Sequence, residues 1–417
     1  MISLENIRIG VIGLGYVGLP LAIEFGKHFD TVGFDINPVR IKELREQKDR
    51  TLEVDKDEFF RSDRLIFSSD SKILSNCNVY IVTVPTPVTG SKTPDFSPLI
   101  SASQLVGKHL EPGNVVIYES TVYPGATEEV CVPVLEAESY LRFNIDFSCG
   151  YSPERINPGD KCHRLVDIVK VTSGSNKDTS DFVDSLYRHI ILAGTYRASS
   201  IRVAEAAKVI ENTQRDLNIG FMNELAILFG SMDIDIFEVL KAASTKWNFL
   251  NFQPGLVGGH CISVDPYYLT YKAQEVGYFP ELITAARRIN DNMPKVYANT
   301  FIKLLIKRNL AASSKKVLLM GITFKENCPD IRNSKAVDLY RELIDFGLDV
   351  DVFDPIADPV EVKNEYDIDL LQTLSHDDYM GIVIAVGHTD FRVLDFNTLT
   401  SLDPDRFVVV DIKNIRN

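Results

Sequence analysis

The 417-residue sequence holds one tryptophan, six methionines, six cysteines and seven histidines. It has no run of about 18 apolar residues, so no transmembrane helix is expected. Met1 to Gly10 shows no basic stretch followed by an apolar one, so no signal peptide is read and a cytoplasmic location is expected. The cysteines, Cys77, Cys131, Cys149, Cys162, Cys261 and Cys328, form no C-x-x-C pair. That spacing speaks against a structural zinc site, and free thiols are expected. Bases are also short, 44 against 58 acids, for a net charge of -14. A broad nucleic-acid or anionic-membrane footprint needs clustered positive charge and is not expected. A small anion held by a few local cations stays compatible with this balance.

Enough is present for a folded enzyme-sized chain. Hydrophobic residues make up 45%, sufficient to bury cores, and the length suggests two or three domains. Ile7 to Ile12 reads as a buried strand, Leu19 to Lys27 as a helix and Thr31 to Asp35 as a strand, which is a first βαβ unit. Val79 to Val84, Asn114 to Tyr118 and Asp146 to Gly150 are further strands, with helical stretches between them that favour a parallel sheet. Ile201 to Met232 lacks proline and spaces its apolar residues helically, as one long helix or two in series. Gln253 to Pro266 is a Gly/Pro-rich loop. A second α/β pattern starts near Lys315, with strands at 316–320, 348–353, 381–386 and 407–411 and a helix at 335–345. The fold class is α/β: two Rossmann-like doubly wound domains joined by a long central helix. The expected domains are 1–196, 197–300 and 301–417.

Gly13-Leu14-Gly15-Tyr16-Val17-Gly18 sits between the first strand and first helix, and Asp35 follows Gly13 by 22 residues. The glycines allow a tight turn and close approach of backbone to a pyrophosphate at a helix N-terminus. Asp35 suits ribose hydroxyls and repels a 2′-phosphate, which favours NAD over NADP, with Arg40 nearby as the competing feature. Gly258-Gly259-His260-Cys261 places a thiol in an open turn, where a thiolate attacks a carbonyl carbon. Spacing alone does not separate this from ordinary cysteine packing, and His260 as an adjacent residue points elsewhere. Lys208 and Asn212 share one helix face and suit a developing oxyanion, although a helix lysine is commonly just solvated. Glu119-Ser120-Thr121 follows a strand end, where ligands bind in open α/β sheets. Ser152-Pro153-Glu154-Arg155 follows another, with Glu154 either a base for water or a surface ion pair. Lys325 and Arg332 suit phosphate oxygens.

In this order the motifs resemble the nucleotide-sugar 6-dehydrogenase family, across nearly the whole chain. The resemblance runs through Gly13–Gly18, Pro85-Thr86-Pro87, Glu119–Thr121, Pro153-Glu154, Lys208 with Asn212, Gly258–Cys261 with Asp265, and Lys325 with Arg332. Lys246 to Leu250 and Gln253 to Cys261 look like the branch acting on UDP-N-acetylglucosamine or UDP-N-acetylgalactosamine for surface polysaccharides. UDP-glucose enzymes show a Gly-Phe-Gly-Gly-Ser-Cys type of loop there, and this chain departs from it.

The resemblance implies a four-electron oxidation of the sugar C6 alcohol to a carboxylate, with two NAD used in turn. Cys261 would carry the thiohemiacetal and then the thioester. Lys208 and Asn212 would stabilise oxyanions, Asp265 with Thr121 would hold a water and help deprotonate the alcohol, and Glu154 would activate water. NAD contacts are expected at Gly13, Gly15, Tyr16, Val17, Gly18, Asp35, Arg40, Pro85, Thr86, Ser120, Thr121 and Arg332. UDP-sugar contacts are expected at Glu154, Arg155, Lys208, Asn212, Phe249, Phe252, Gly255, Gly258, Phe324 and Lys325. No metal is expected, and a homodimer through the central helix is. Two departures concern substrate contacts: the dimer-crossing arginine of UDP-glucose enzymes has only Lys246 as a counterpart, and Pro158 stands where they place a second glutamate. Lys413 lies near a C-terminal arginine of those enzymes. The alternatives are a UDP-glucose or GDP-mannose dehydrogenase, a two-electron β-hydroxyacid-type dehydrogenase, and a catalytically silent NAD-binding scaffold.

Overall fold

Strand β1 (Arg8–Ile12) is apolar after its first residue and buried on both faces, as a central parallel strand must be. Burial of side chains such as Ile9 and Val11 stabilises the fold by about 1.5–3 kcal/mol each. The computed structural model describes residues 4–157, 163–259, 261–310, 316–374, 379–400 and 407–416. Residues Met1–Glu211 with Tyr267–Tyr278 make one compact unit, and Asn212–Pro266 with Phe279–Asn417 the other.

In the first unit β1 leads through the glycine turn into α1 (Gly18–Gly26), then β2 (Asp30–Phe34), α2 (Pro38–Arg45), α3 (Lys56–Arg61) and β3 (Leu65–Ser68). Next come β4 (Val79–Val82), α4 (Ser97–Gly107), β5 (Val115–Tyr118), α5 (Val132–Ser139), β6 (Ser148–Tyr151), β7 (Lys170–Gly174), α6 (Lys177–Arg188) and β8 (Thr195–Arg197). The helix starts are encoded locally. Asn37 caps α2 by accepting from the N–H groups of Val39 and Arg40, with Pro38 opening the helix. Asn176 caps α6 in the same way.

The eight strands run in the order β3-β2-β1-β4-β5-β6-β7-β8. The order reverses direction between β1 and β4, the switch point at which such sheets bind ligands. One pair departs from the expected parallel pattern: β6 and β7 are antiparallel, with Gly150 opposite Gly174. The described residues between them contain only a short 3-10 turn, Leu165–Asp167, and a parallel return needs a crossover, usually a helix.

Helix α7 (Ile201–Gly230) is one unbroken helix of 30 residues, shared between the two units. The second unit continues with α8 (Ile236–Ala243), and α9 (Asp265–Glu275) starts there and ends in the first unit. Then follow α10 (Glu281–Lys307), β9 (Val317–Met320), α11 (Lys335–Asp345), β10 (Val350–Phe353), α12 (Pro359–Tyr366), β11 (Gly381–Ile384) and β12 (Val408–Asp411). Gly220 of α7 faces α10 so closely that a Cβ there would lie 3.0 Å from the Ala286 Cβ, which is why a glycine is tolerated mid-helix. The four strands are all parallel, in the order β10-β9-β11-β12. Their core joins Val317 and Leu319 of β9 to Leu339 and Leu343 of α11 and to Val350 and Val352 of β10. The strands and helices read from sequence lie within two residues of those observed. No helix among the described residues is long and apolar enough to cross a membrane.

Candidate active site

In the first unit the sequence motifs gather at the carboxyl ends of four neighbouring strands, β1, β4, β5 and β6. Gly13 turns the chain with φ +94° and its N–H donates to the Phe34 carbonyl at 2.8 Å. At Gly18 a Cβ would lie 1.9 Å from the Gly13 oxygen and 2.4 Å from Thr83 Oγ1, so only glycine fits. Gly15 has nothing within 4 Å of the Cβ position and is exposed, leaving its backbone open to a ligand. Tyr16 and Val17 flank it, half-buried. Thr83 Oγ1 donates to the carbonyls of Ile12 and Gly13 at 3.0 and 2.7 Å and braces the turn from β4.

Asp35 accepts from the Leu14 N–H and the Asn37 N–H, both at 2.9 Å, and stays partly exposed with acceptor capacity left for a ribose. Arg40 is buried and committed: Nε donates to the Leu14 carbonyl at 3.0 Å and a terminal nitrogen to Asp49 Oδ1 at 2.8 Å. It therefore supports the turn at Leu14. These features fit NAD: an open Gly15, a helix N-terminus behind it and a carboxylate held at the end of β2. Pro85 and Thr86 follow β4, and Ser120 Oγ donates to the Val84 carbonyl at 2.7 Å, tying the loops after β4 and β5 together. Thr121, next along, is half-buried.

Beside this crest lies a charge cluster with almost no water access. Lys170, at the start of β7, donates to Glu119 Oε2 at 2.7 Å and faces Glu154 Oε2 at 3.5 Å. Tyr187 of α6 donates to Glu119 Oε1. Glu154 Oε1 accepts from the N–H groups of Arg155, at 2.6 Å, and Ile156. Glu154 Oε2 is buried and accepts no hydrogen bond from the described residues. Burial pushes the Glu119 carboxyl up, the Lys170 ammonium draws it down and Glu154 pushes it up again, leaving it above the ordinary range. Arg155, expected at the substrate, pairs with Glu211 of α7 at 2.7 Å and donates to the Val169 carbonyl at 2.9 Å.

Lys208 and Asn212 lie one turn apart on α7, both buried. One turn earlier, Glu205 accepts from the N–H groups of Gly125 and Thr127 at 2.5 and 2.9 Å. It holds the loop that follows Thr121. Burial pushes the Glu205 carboxyl up to about 7.

In the second unit Asn212 Nδ2 donates to Asp265 Oδ2 at 2.6 Å, and the Asp265 side chain is buried. Two residues named separately from sequence are thus one hydrogen-bonded pair. Asp265 opens α9, and the Cys261 carbonyl accepts from the N–H groups of Val264 and Asp265 at 3.0 and 2.8 Å. Cys261 therefore sits just before a helix N-terminus, half-buried. The turn before it is fixed from outside. A Cβ on Gly258 would lie 2.5 Å from the Asn333 oxygen, and one on Gly259, at φ +85°, would lie 2.6 Å from Phe324 Cδ2. Lys325 Nζ lies 5.6 Å from the Phe324 ring centroid.

Gly255 is gripped at both backbone ends by Asn223 of α7, whose Oδ1 accepts from its N–H at 2.8 Å and whose Nδ2 donates to its carbonyl at 3.0 Å. Lys413 lies alongside. Phe249 and Phe252 pack on Met222, Ile236 and Leu240 and anchor the loop there. Arg332 is exposed and forks onto its neighbour Asp330 at 3.0 and 2.6 Å. Pro158, Cys162 and His260 lie outside the described residues.

Comparison with known proteins now decides the family. Residues 7–191, 202–292 and 318–417 match the NAD binding domain, the central domain and the UDP binding domain of the UDP-glucose/GDP-mannose dehydrogenase family. The chain belongs to that family. It is similar to a UDP-N-acetyl-D-glucosamine 6-dehydrogenase of Pseudomonas aeruginosa, 57% identical with 98% of this chain and 97% of that one covered. One of the same name from Salmonella typhi is 52% identical, with 100% and 98% covered. The solved UDP-D-ManNAc dehydrogenase of Pyrococcus horikoshii superposes with TM-score 0.88 at 30% identity, over 99% of this chain and 96% of that chain.

Within this dehydrogenase, sequence reasoning missed Lys170, Tyr187, Glu205 and Asn223. Only Lys170 left a signal: a single cation at the head of an otherwise uncharged strand, Lys170-Val171-Thr172-Ser173-Gly174. The others are polar residues on helices, and pattern alone does not show which of those turn inward.

Proposed function

We propose that this dehydrogenase oxidises the C6 hydroxyl of a UDP-N-acetylhexosamine, UDP-N-acetyl-D-glucosamine in the first place, to the carboxylate, for surface polysaccharide precursors. The observation that carries the covalent route is the Gly258–Gly259 turn. It is locked against Phe324 and Asn333 of the UDP-binding domain and delivers Cys261 to the start of α9. When bound, NAD supplies the hydride acceptor for both oxidations. Cys261 Sγ adds to the C6 aldehyde, giving a thiohemiacetal, and loss of hydride from C6 gives a thioester. Water then adds, the C–S bond breaks, the thiol is regenerated and the uronate leaves.

Each remaining residue has a task suited to its setting. The Lys208 ammonium stabilises the alkoxide and the tetrahedral oxyanions. The Asn212 amide gives one N–H to Asp265, which fixes its plane and leaves the second N–H for the same oxygen. Asp265 takes up the alcohol proton through a water, and Glu154 takes the proton of the hydrolytic water. Gly13 to Gly18 and Asp35 hold the cofactor, with Arg40 supporting the turn. Phe324, Lys325 and the 249–258 loop receive the UDP-sugar. The N-acetylglucosamine preference is supported by the name carried by the relatives at 57% and 52% identity. A homodimer through α7 is the reading the family resemblance brings, and Phe221 and Leu228, seven residues apart on that helix, are exposed as it requires.

Initial rates with UDP-N-acetyl-D-glucosamine, its galacto epimer and UDP-glucose test the substrate. kcat/KM is expected to be highest for the first and about 100-fold lower for UDP-glucose, which lacks the acetamido group. A preference for UDP-glucose would overturn the assignment. Cys261→Ser is expected to lower complete turnover about 10³-fold or more.

A further inference from the structure

The hydrolytic base named above is one of two buried carboxylates that share a single cation. Glu119, Glu154 and Lys170 all expose less than a tenth of their surface, and Lys170 is 2.7 Å from one carboxylate and 3.5 Å from the other. Tyr187 closes the far side of Glu119, and its ring lies 5.4 Å under the Lys170 ammonium. Among the described residues, two chain neighbours of Glu154 have partners of their own. Ser152, on its own loop, donates to the Val171 carbonyl at 2.8 Å, and Arg155 is engaged by Glu211 and Val169. Backbone N–H groups hold one Glu154 oxygen, while the other is buried with no donor from the described residues. A buried carboxylate oxygen without a donor is costly, and a water is the natural partner for it.

We infer that Lys170 is a positioning residue for the hydrolysis step: its ammonium, divided between Glu119 and Glu154, holds the Glu154 carboxylate and aims the oxygen that faces Lys170 at the attacking water. This rests on the proposed thioester route. In the step, the water oxygen bonds to the acyl carbon, its proton passes to Glu154, and the C–S bond breaks with the electron pair returning to Cys261. No oxidant or reductant is consumed. Neutral Glu154 cannot take that proton, so the rate follows its ionisation.

The division of one cation between two carboxylates gives opposite signs for two variants. Glu119→Gln removes the competitor, so the whole Lys170 charge favours the Glu154 anion. Lys170→Met removes that cation from between the two carboxylates, which disfavours the charged form of both. The experiment loads enzyme, NAD and UDP-N-acetyl-D-glucosamine in a single turnover. Acid quench and intact-mass spectrometry then follow decay of the acyl adduct on Cys261 from pH 5 to 9. The acidic limb of that decay is expected to move down by about one pH unit in Glu119→Gln and up by about one in Lys170→Met, relative to the unsubstituted protein.

A merely structural lysine would weaken folding in both variants without moving the limbs apart. Limbs that stay put or move the same way overturn the inference. If Lys170→Met does not fold, the nearly isosteric Glu119→Gln decides alone, a downward shift supporting it and no shift overturning it. The unsubstituted enzyme serves as control. Two NADH per sugar with an adduct on Cys261 shows the thioester route intact whatever the variants do. One NADH and no adduct overturns that route and this inference with it.

Discussion

The first turns of the two α/β regions begin alike and end differently. Gly13 has φ +94° and donates to the Phe34 carbonyl at 2.8 Å; Gly321 has φ +87° and donates to the Phe353 carbonyl at 2.9 Å. The residue after each glycine donates to the aspartate that follows the next strand, Leu14 to Asp35 at 2.9 Å and Ile322 to Asp354 at 2.7 Å. From there they diverge. Asp35 is partly exposed and takes two backbone donors from the described residues. Asp354 is buried and takes five: the N–H groups of Ile322, Thr323, Ile356 and Ala357, and Nε2 of His388. Its acceptor sites are filled. The same strand-to-turn device thus serves a backbone-lined cofactor crest in one region. In the other it is sealed by a buried histidine and presents side chains instead, Phe324 and Lys325.

The largest effect is expected from removing the sealed carboxylate. Asp354→Ala orphans several buried donors, each worth about 1–3 kcal/mol, and should destabilise the protein by several kcal/mol in thermal or urea unfolding. Asp35→Ala should cost far less stability but lower NAD affinity about 10²-fold in a binding titration. Equal stability losses from the two would erase the distinction between a sealed and an open turn. Next is Gly18→Ala. Its Cβ meets the Gly13 oxygen at 1.9 Å, so the turn or α1 must shift, at about 1–3 kcal/mol or more, with NAD binding lost; a normal melting temperature with normal NAD binding would contradict the packing.

A smaller effect separates the regions by pH. Glu205 sits at about 7 against an ordinary 4.5. A raised folded-state value means its contribution is fully present below about pH 4.5 and is lost as pH rises through 7. For Asp354 burial pushes upward, but the His388 contact and the Ile322 and Ala357 N–H groups outweigh it and leave the carboxyl below its ordinary range. Its contribution is present above the ordinary value and is lost only in acid. Between pH 5 and 8 the stability of the unsubstituted protein should therefore fall by on the order of 2 kcal/mol through Glu205. Glu205→Gln should flatten that slope, as denaturant midpoints at the two pH values will show. The smallest effect is Arg332→Ala. Its exposed fork onto Asp330 contributes about 0.5 kcal/mol or less, so a change in NAD affinity without a change in stability would give Arg332 a ligand contact.

Both turns were half legible in the sequence. Gly13, Gly15, Gly18 and Asp35 carry a spacing with a mechanical reason; Cys261, Lys208 and Asn212 stood out by residue type and helix face, and the resemblance gave them and Asp265 their roles. Asp354 and His388 carried no such spacing, because they are brought together by β10 and the segment after β11, 34 residues apart in the chain. Strand β7 was not read at all, because Lys170-Val171-Thr172-Ser173-Gly174 holds one apolar side chain, and its antiparallel direction is not encoded in apolar pattern. Arg40 and Arg155 were legible as cations near the site, but their hydrogen bonds run to Leu14, Asp49, Glu211 and Val169. Only the folded chain shows whether a cation is already spent on its own backbone.

The central claim is a four-electron oxidation that passes through Cys261. It is tested most directly by the NADH formed per mole of limiting UDP-N-acetyl-D-glucosamine, read by absorbance at completion. Two NADH per sugar, with the uronate as product, is the expected result. One NADH per sugar, with the aldehyde accumulating, would contradict it and leave Cys261 a packing residue in a two-electron enzyme.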